Sequence, residues 1–417
     1  MRTSLNKRRV VVTGCGGLTA LGHDWPSIRT ALRENRTGIV YMNEWDGYRE
    51  LHTRLGAPAQ SFELPSHYNR KIMRGMGRVS TLSVRASELA LEDAGLLGDP
   101  VLREGRTGIA YGSSAGSIQP IIAAGRFAEL GTLRGAPANS YVQMMAQTGA
   151  VNIGVFFKIT GRLIPTCSAC TSGSQGIGYS YETILDGRQD VMVAGGADEL
   201  SVISAVVFDM IGATSTMNKT PERASRPFDS ERDGIVVGEG GATLIMEELE
   251  HARARGAKIY AEIVGFASNT DGTHITRPNR ATMAEVMRSA LNNAQLEPER
   301  IGYVSAHATG TDRGDIAESQ ATLEVLGNRV PVSSMKGYFG HSIGACGPLE
   351  AWLAIQMMNE GWFAPTRNLD VPGEDIAPIN HVRGKPLERE VDHIMSNNFA
   401  FGGINTSLIF RRWREDT

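Results

Sequence analysis

A cysteine and two histidines stand in three separated stretches, each where apolar residues give way to glycine and small polar ones. They are Pro165-Thr-Cys-Ser-Ala-Cys170-Thr-Ser-Gly, Ser305-Ala-His307-Ala-Thr-Gly-Thr311 and Lys336-Gly-Tyr-Phe-Gly-His341-Ser-Ile-Gly. Strand ends and helix starts are where α/β proteins gather reactive side chains. A thiol with two imidazoles combines a nucleophile with polarising groups, which suggests thioester chemistry. After Cys170, the apolar positions Ile177, Tyr181, Ile184 and Leu185 predict a helix that stops at Gly187. A cysteine in its first turn faces unpaired N–H groups and the positive end of the dipole, so a lowered pKa and a thiolate are expected. Alone, Cys170 reads as a buried structural cysteine, and a single histidine at a strand end as satisfied structure. Three such residues in matching contexts favour chemistry.

Two further features bear on the site. Cys167 and Cys170 form a Cys-x-x-Cys, a spacing used for zinc or redox work, but no second close pair completes a zinc set and no metal is expected. The segment Asn398-Phe-Ala-Phe-Gly-Gly-Ile-Asn405 follows a strand, and its glycines permit backbone conformations closed to other residues. A backbone N–H near Phe401 could pair with that of Cys170 to hold a developing oxyanion.

The elements that must position these groups alternate. Strands are predicted at Arg9–Thr13, Thr107–Tyr111, Asp190–Ala194, Lys258–Gly265, Gly302–Ala306, Val330–Ser333 and His393–Ser396, and helices over Leu82–Ala94 and Glu247–Arg255. That pattern indicates a layered α/β protein. Gly14 and Gly16 break the first strand as a dinucleotide loop does, but Thr19 occupies the last glycine position and the phosphate fingerprint fails. With 417 residues the chain suits two packed halves, and 41% hydrophobic and 21% charged residues are ordinary for a globular enzyme. A net charge of -3 argues against a general nucleic-acid binder. The basic opening segment has only Val10–Val12 as an apolar run, too short for a signal-peptide core, and no stretch reaches the ~18 apolar residues of a membrane span. A cytoplasmic setting with free thiols is the expectation.

Together with Arg226-Pro-Phe-Asp-Ser-Glu-Arg-Asp-Gly234, these motifs run through nearly the whole chain, which resembles the type II-like β-ketoacyl-acyl carrier protein synthases of the thiolase fold. The resemblance implies a five-layered α-β-α-β-α core of two similar halves, residues 1–256 carrying Cys170 and residues 257–417 carrying His307, Lys336 and His341. It implies that Cys170 takes an acyl group from an acyl carrier protein and that His307 and His341 stabilise the enolate left by decarboxylation of a malonyl thioester. The acyl oxyanion would rest on the amides of Cys170 and Phe401. It further implies that Lys336 orders the histidines through a network with Asp315 or Glu318, that Phe401 gates the site, and that Thr309 and Thr311 hold a phosphopantetheine arm. Thr276, Phe399 and Phe208 would line the substrate pocket, and Ala115 would lie at the base of the acyl tunnel near a dimer interface. No cofactor beyond the carrier-borne arm is implied. Ala308 departs from the glycine usual after the histidine.

Arg70, Arg74 and Arg78 recur every four residues beside Lys71, which predicts cations on one helical face and suggests a dock for an acidic carrier protein. The expected activity is decarboxylative condensation that lengthens acyl chains by two carbons, in a homodimer or in a heterodimer with a related chain-length subunit. A ketosynthase dedicated to a polyketide or polyene is the alternative within the class. A silent chain-length partner is disfavoured by the presence of Cys170, and a degradative thiolase by His341 where a second cysteine would stand.

Overall fold

The computed structural model describes residues 8–132, 134 and 138–415. The basic opening segment therefore lies outside the described residues over positions 1–7.

Ten strands carry the fold: β1 (Val10–Leu18), β2 (Thr107–Gly112), β3 (Leu163–Thr166), β4 (Val191–Asp198), β5 (Gly240–Glu248), β6 (Ala261–Thr270), β7 (Tyr303–Ser305), β8 (Pro331–Ser333), β9 (His393–Ala400) and β10 (Ile404–Arg412). Their near-continuous apolar character fits strands covered on both faces. The first half orders them β1-β5-β4-β2-β3 and the second β6-β10-β9-β7-β8. Each half has two antiparallel pairings followed by two parallel ones, so the second repeats the topology of the first. The short strand Asn380–His381 extends the edge beyond β8.

The halves share one sheet. β1 pairs with β5 along its length and, on its other edge, with β6 through Val10, Val11 and Val12. The strand does not stop at Gly14 as predicted. It shifts register between Val12 and Gly14 and runs on to Leu18. Glycine serves close packing there: a Cβ at Gly14 would lie 2.3 Å from the Ala90 carbonyl oxygen, and one at Gly16 would lie 2.6 Å from the Ala90 nitrogen.

Six helices complete the layers: α1 (Arg78–Asp93), α2 (Thr148–Phe157), α3 (Ser172–Leu185), α4 (Arg280–Ala294), α5 (Asp312–Leu326) and α6 (Cys346–Glu360). On one outer face α1 packs on β1, β5 and β4, with α2 beside it; on the other, α4 packs on β6 and β10, with α5 beside it. The central pair, α3 and α6, touch each other and strands of both halves. The result is five layers, helix-strand-helix-strand-helix, as in the thiolase fold. No helix among the described residues is long and apolar enough to cross a membrane.

Candidate active site

Cys170 sits on a short turn, Ala169–Thr171, between β3 and α3. Ala169 is held at φ +49° and Ile343, in the matching turn ahead of α6, at φ +48°. Such left-handed non-glycine conformations cost about 1–3 kcal/mol each and persist where surrounding packing fixes them. Here the two turns pack on one another, which brings Cys170 to the turn that carries His341.

The three reactive groups converge. His341 Nε2 lies 3.0 Å from Cys170 Sγ, and the His307 and His341 rings meet edge-on with centroids 5.1 Å apart. A ligand atom from each of the three lies within 4.8 Å of the others, a spacing that would also suit a metal ion. Cys167 does not join them: it is exposed, and its thiol donates to the Ser114 carbonyl at 3.4 Å.

Cys170 departs from the expected thiolate. It is 3% exposed, and burial pushes its pKa up to about 11, against the field of Lys336 and the backbone N–H groups of Phe401 and Cys170. Those two N–H groups nevertheless face the sulfur, where an oxyanion on an attached acyl group would form. Burial, reinforced by Lys336, holds both imidazoles well below the ordinary histidine value, with the His341 ring adding to the depression of His307. Both are therefore neutral at neutral pH.

Lys336 does not bond to Asp315 or Glu318. Its ammonium pairs with Glu350, and neither side chain is exposed. Glu350 Oε2 accepts from the Asn398 amide at 2.8 Å, and the same amide nitrogen lies 3.4 Å from His307 Nδ1. With the amide nitrogen donating to both, His307 carries its proton on Nε2. His341 Nδ1, in contrast, is buried without a partner among the described residues. Glu318 and Asp315 instead brace the turn behind His307. Glu318 accepts from the N–H groups of His307 (2.8 Å) and Ala308 (2.6 Å), and Asp315 from those of Thr309 (3.0 Å), Gly310 (3.1 Å) and Phe228 (2.7 Å). Burial pushes Glu318 up to about 8 and Asp315 to about 6.

Glu350 and Asn398 are absent from the roles assigned by sequence. The available signal for Glu350 was one carboxylate on an otherwise apolar stretch, Cys346–Ile355, which required a buried cation. Cys346 is also part of this shell: its thiol donates to the Cys170 carbonyl at 3.3 Å.

A cavity of about 420 Å³ opens onto the cluster, lined by Cys170, His307 and His341 together with Thr309, Thr311, Thr276, Phe208, Phe399, Phe401 and Glu318. Phe401 stacks on Phe208 with ring centroids 5.4 Å apart, and the Thr309 and Thr311 hydroxyls are 3.0 Å apart. Ala115 is not at the base of this cavity. It is exposed in the turn after β2, where Ser113 donates to Asp198 at 2.8 Å.

The predicted cationic stripe is not one helical face. Arg70–Met73 is a four-residue helix that ends at Arg74; the chain breaks at Gly75–Gly77, and Arg78 opens α1. Arg78 is drawn to Glu239 by two bonds, of 2.9 and 2.7 Å, while Arg70, Lys71 and Arg74 remain exposed.

Comparison with known proteins gives the arrangement its family. Residues 7–252 match the family description "Beta-ketoacyl synthase, N-terminal domain" and residues 260–370 "Beta-ketoacyl synthase, C-terminal domain". The chain is 38% identical to 3-oxoacyl-[acyl-carrier-protein] synthase 2 of Vibrio cholerae, covering 98% of this chain and 100% of the relative. Among solved structures, a β-ketoacyl synthase from Burkholderia phymatum superposes with a TM-score of 0.96 at 55% identity, covering 98% of this chain and 100% of that one. The ishigamide ketosynthase/chain length factor superposes with a TM-score of 0.89 at 29% identity, over 98% and 100%. The chain belongs to the β-ketoacyl synthase family.

Proposed function

We propose that this protein condenses an acyl group held on Cys170 with a malonyl group held on acyl carrier protein. The observation that carries the reading is the 3.0 Å approach of His341 Nε2 to Cys170 Sγ beside the neutral His307. In the first half-reaction the Cys170 sulfur attacks the acyl thioester. Its proton passes to His341 and on to the departing carrier thiolate, leaving the imidazole neutral. His341, with no partner fixing Nδ1, can hold its proton on either nitrogen.

In the second half-reaction the malonyl carboxylate leaves as carbon dioxide, and its electron pair becomes a thioester enolate. Neutral N–H donors from His307 and His341 suit that oxygen, where a carboxylate would repel it. The enolate carbon attacks the acyl carbonyl on Cys170, the oxyanion sits on the N–H groups of Cys170 and Phe401, and collapse expels the Cys170 thiolate, which takes up one proton from solvent to restore the resting thiol. The product is a β-ketoacyl thioester two carbons longer. The Lys336-Glu350-Asn398 chain orients His307, Phe401 against Phe208 closes the inner cavity, and Thr309, Thr311, Thr276 and Phe399 contact the substrate arm. Exposed Arg70, Lys71 and Arg74 dock an acidic carrier protein, and the exposed edge strand β3, with Leu163, joins a second subunit.

A dedicated polyketide or polyene ketosynthase with a chain-length partner is the second reading, favoured by the likeness to the ishigamide ketosynthase/chain length factor. The test is acyl transfer from an acyl carrier protein to wild type and to Cys170→Ala, read by intact mass, followed by addition of malonyl carrier protein. A mass increment on Cys170 that malonyl carrier protein discharges as a β-ketoacyl product is expected. No increment on wild type, or an equal one on Cys170→Ala, sinks the reading.

A further inference from the structure

The acyl-transfer scheme leaves two arginines at the cavity mouth without a task. Cys170, His307 and His341 form the buried floor, whereas Ile275, Thr276, Arg277, Asp312 and Arg313 are exposed and form the mouth. Arg277 comes from the loop between β6 and α4, and Arg313 from the first turn of α5, a helix packed on α4. Neither guanidinium has an ion pair or hydrogen bond among the described residues. That distinguishes them from Arg232, which bonds Asp375 at 2.7 Å.

Besides Glu318, which accepts from the N–H groups of His307 and Ala308, two carboxylates belong to the same lining. Asp312 lies 3.8 Å from Arg232, and Asp271 accepts from Thr282 and from the Asn405 amide, the latter at 2.8 Å. The mouth therefore presents two uncommitted cations against one partly shared carboxylate. In addition, Thr311 caps α5 without a side-chain bond, so N–H groups of that first turn add to the positive field.

We propose that Arg277 and Arg313 bind the phosphodiester at the far end of a pantetheine arm. This rests on Cys170 being the acyl acceptor. An arm with its thioester at Cys170 passes Thr309 and Thr311, and its phosphate emerges between the two guanidiniums, whose planar forks match phosphate oxygens in pairs. Acyl carrier protein and coenzyme A both carry that phosphate.

Acylation of Cys170 by octanoyl-pantetheine, octanoyl-phosphopantetheine, octanoyl-CoA and octanoyl carrier protein separates the possibilities. The readout is the ratio of KM values for the bare and the phosphorylated arm. The double variant Arg277→Ala/Arg313→Ala should shrink that ratio about tenfold, and the double lysine variant should retain part of it. Whichever of the CoA and carrier esters follows the phosphopantetheine ester identifies the source. An unchanged ratio, including an equal loss on both arms, overturns the clamp. A shift confined to the carrier ester also overturns it, because the arginines would then touch the carrier's protein surface. Failure of wild type to accept any donor at Cys170 would instead strike the acyl-acceptor reading, and the clamp with it.

Discussion

Lys336 and Glu350 form an ion pair with neither side chain exposed to solvent. Burial favours the neutral lysine, and the adjoining Glu350 carboxylate, together with Cys346 and Glu318, more than reverses that, so the ammonium persists. Removing one partner of such a pair leaves an uncompensated charge, a loss of roughly 3–5 kcal/mol. Glu350→Ala should show it as a lower urea midpoint. The double change Lys336→Met/Glu350→Leu should recover most of the stability while condensation stays slow, because His307 has lost its orienting chain. A Glu350→Ala loss within experimental error would show that the pair is not closed to water.

His341 ties stability to acidity. Its folded pKa is depressed, chiefly by burial, so below about pH 6.5 the unfolded chain takes up a proton that the folded one refuses. Stability supplied by the neutral ring is present above that pH and is lost as pH falls. The penalty for His341→Ala should therefore be smaller at pH 5.5 than at pH 7.5, by up to about 1.4 kcal/mol. Denaturant midpoints at the two pH values measure the difference, and an equal penalty at both contradicts it.

The protonated resting state of Cys170 has a kinetic signature. The thiolate is the nucleophile, and burial holds the thiol pKa up at about 11. Alkylation by iodoacetamide should keep accelerating from pH 7 through pH 9.5. A plateau by pH 8 would mean that the sulfur is already ionised.

Gly112 tests how tightly the nucleophile turn is seated. A Cβ there would stand 2.5 Å from the Ser172 carbonyl carbon, backbone at the start of α3. Gly112→Ala should destabilise by ~1–3 kcal/mol and lower acyl transfer as Cys170 shifts. Gly125→Ala is the control: a Cβ there meets nothing within 4 Å, in the helix Ile118–Leu130, so stability should hold or rise by up to about 1 kcal/mol. Equal losses in both variants would count against the packing argument.

The alternation of strands and helices was legible because the strands are short apolar runs ended by glycine, and covered strands leave that signature. Cys170, His307 and His341 were legible because small residues around a reactive side chain are hard to explain otherwise. What sequence missed depends on depth and direction. The helix-start argument for Cys170 ignored burial, which outweighs the dipole. A four-residue spacing put Arg78 beside Arg74, but Gly75 and Gly77 end one helix before the next begins. Asp315 and Glu318 stood near His307 in the chain and looked like partners for Lys336, yet both are spent on backbone N–H groups. Glu350, fourteen residues past Lys336, reaches the ammonium because α6 starts against it.

The doubly paired strand Val10–Val12 has a consequence for biosynthesis. It precedes both partners by a long stretch of chain: one ends at Glu248 and the other begins at Ala261. While the ribosome extends the chain, this segment must wait for residues beyond Gly240 with both flanks open, and even a finished first half retains one adhesive border. Ordering of the seam is thus a late, long-range event, of the kind that slows folding and invites association with other nascent chains.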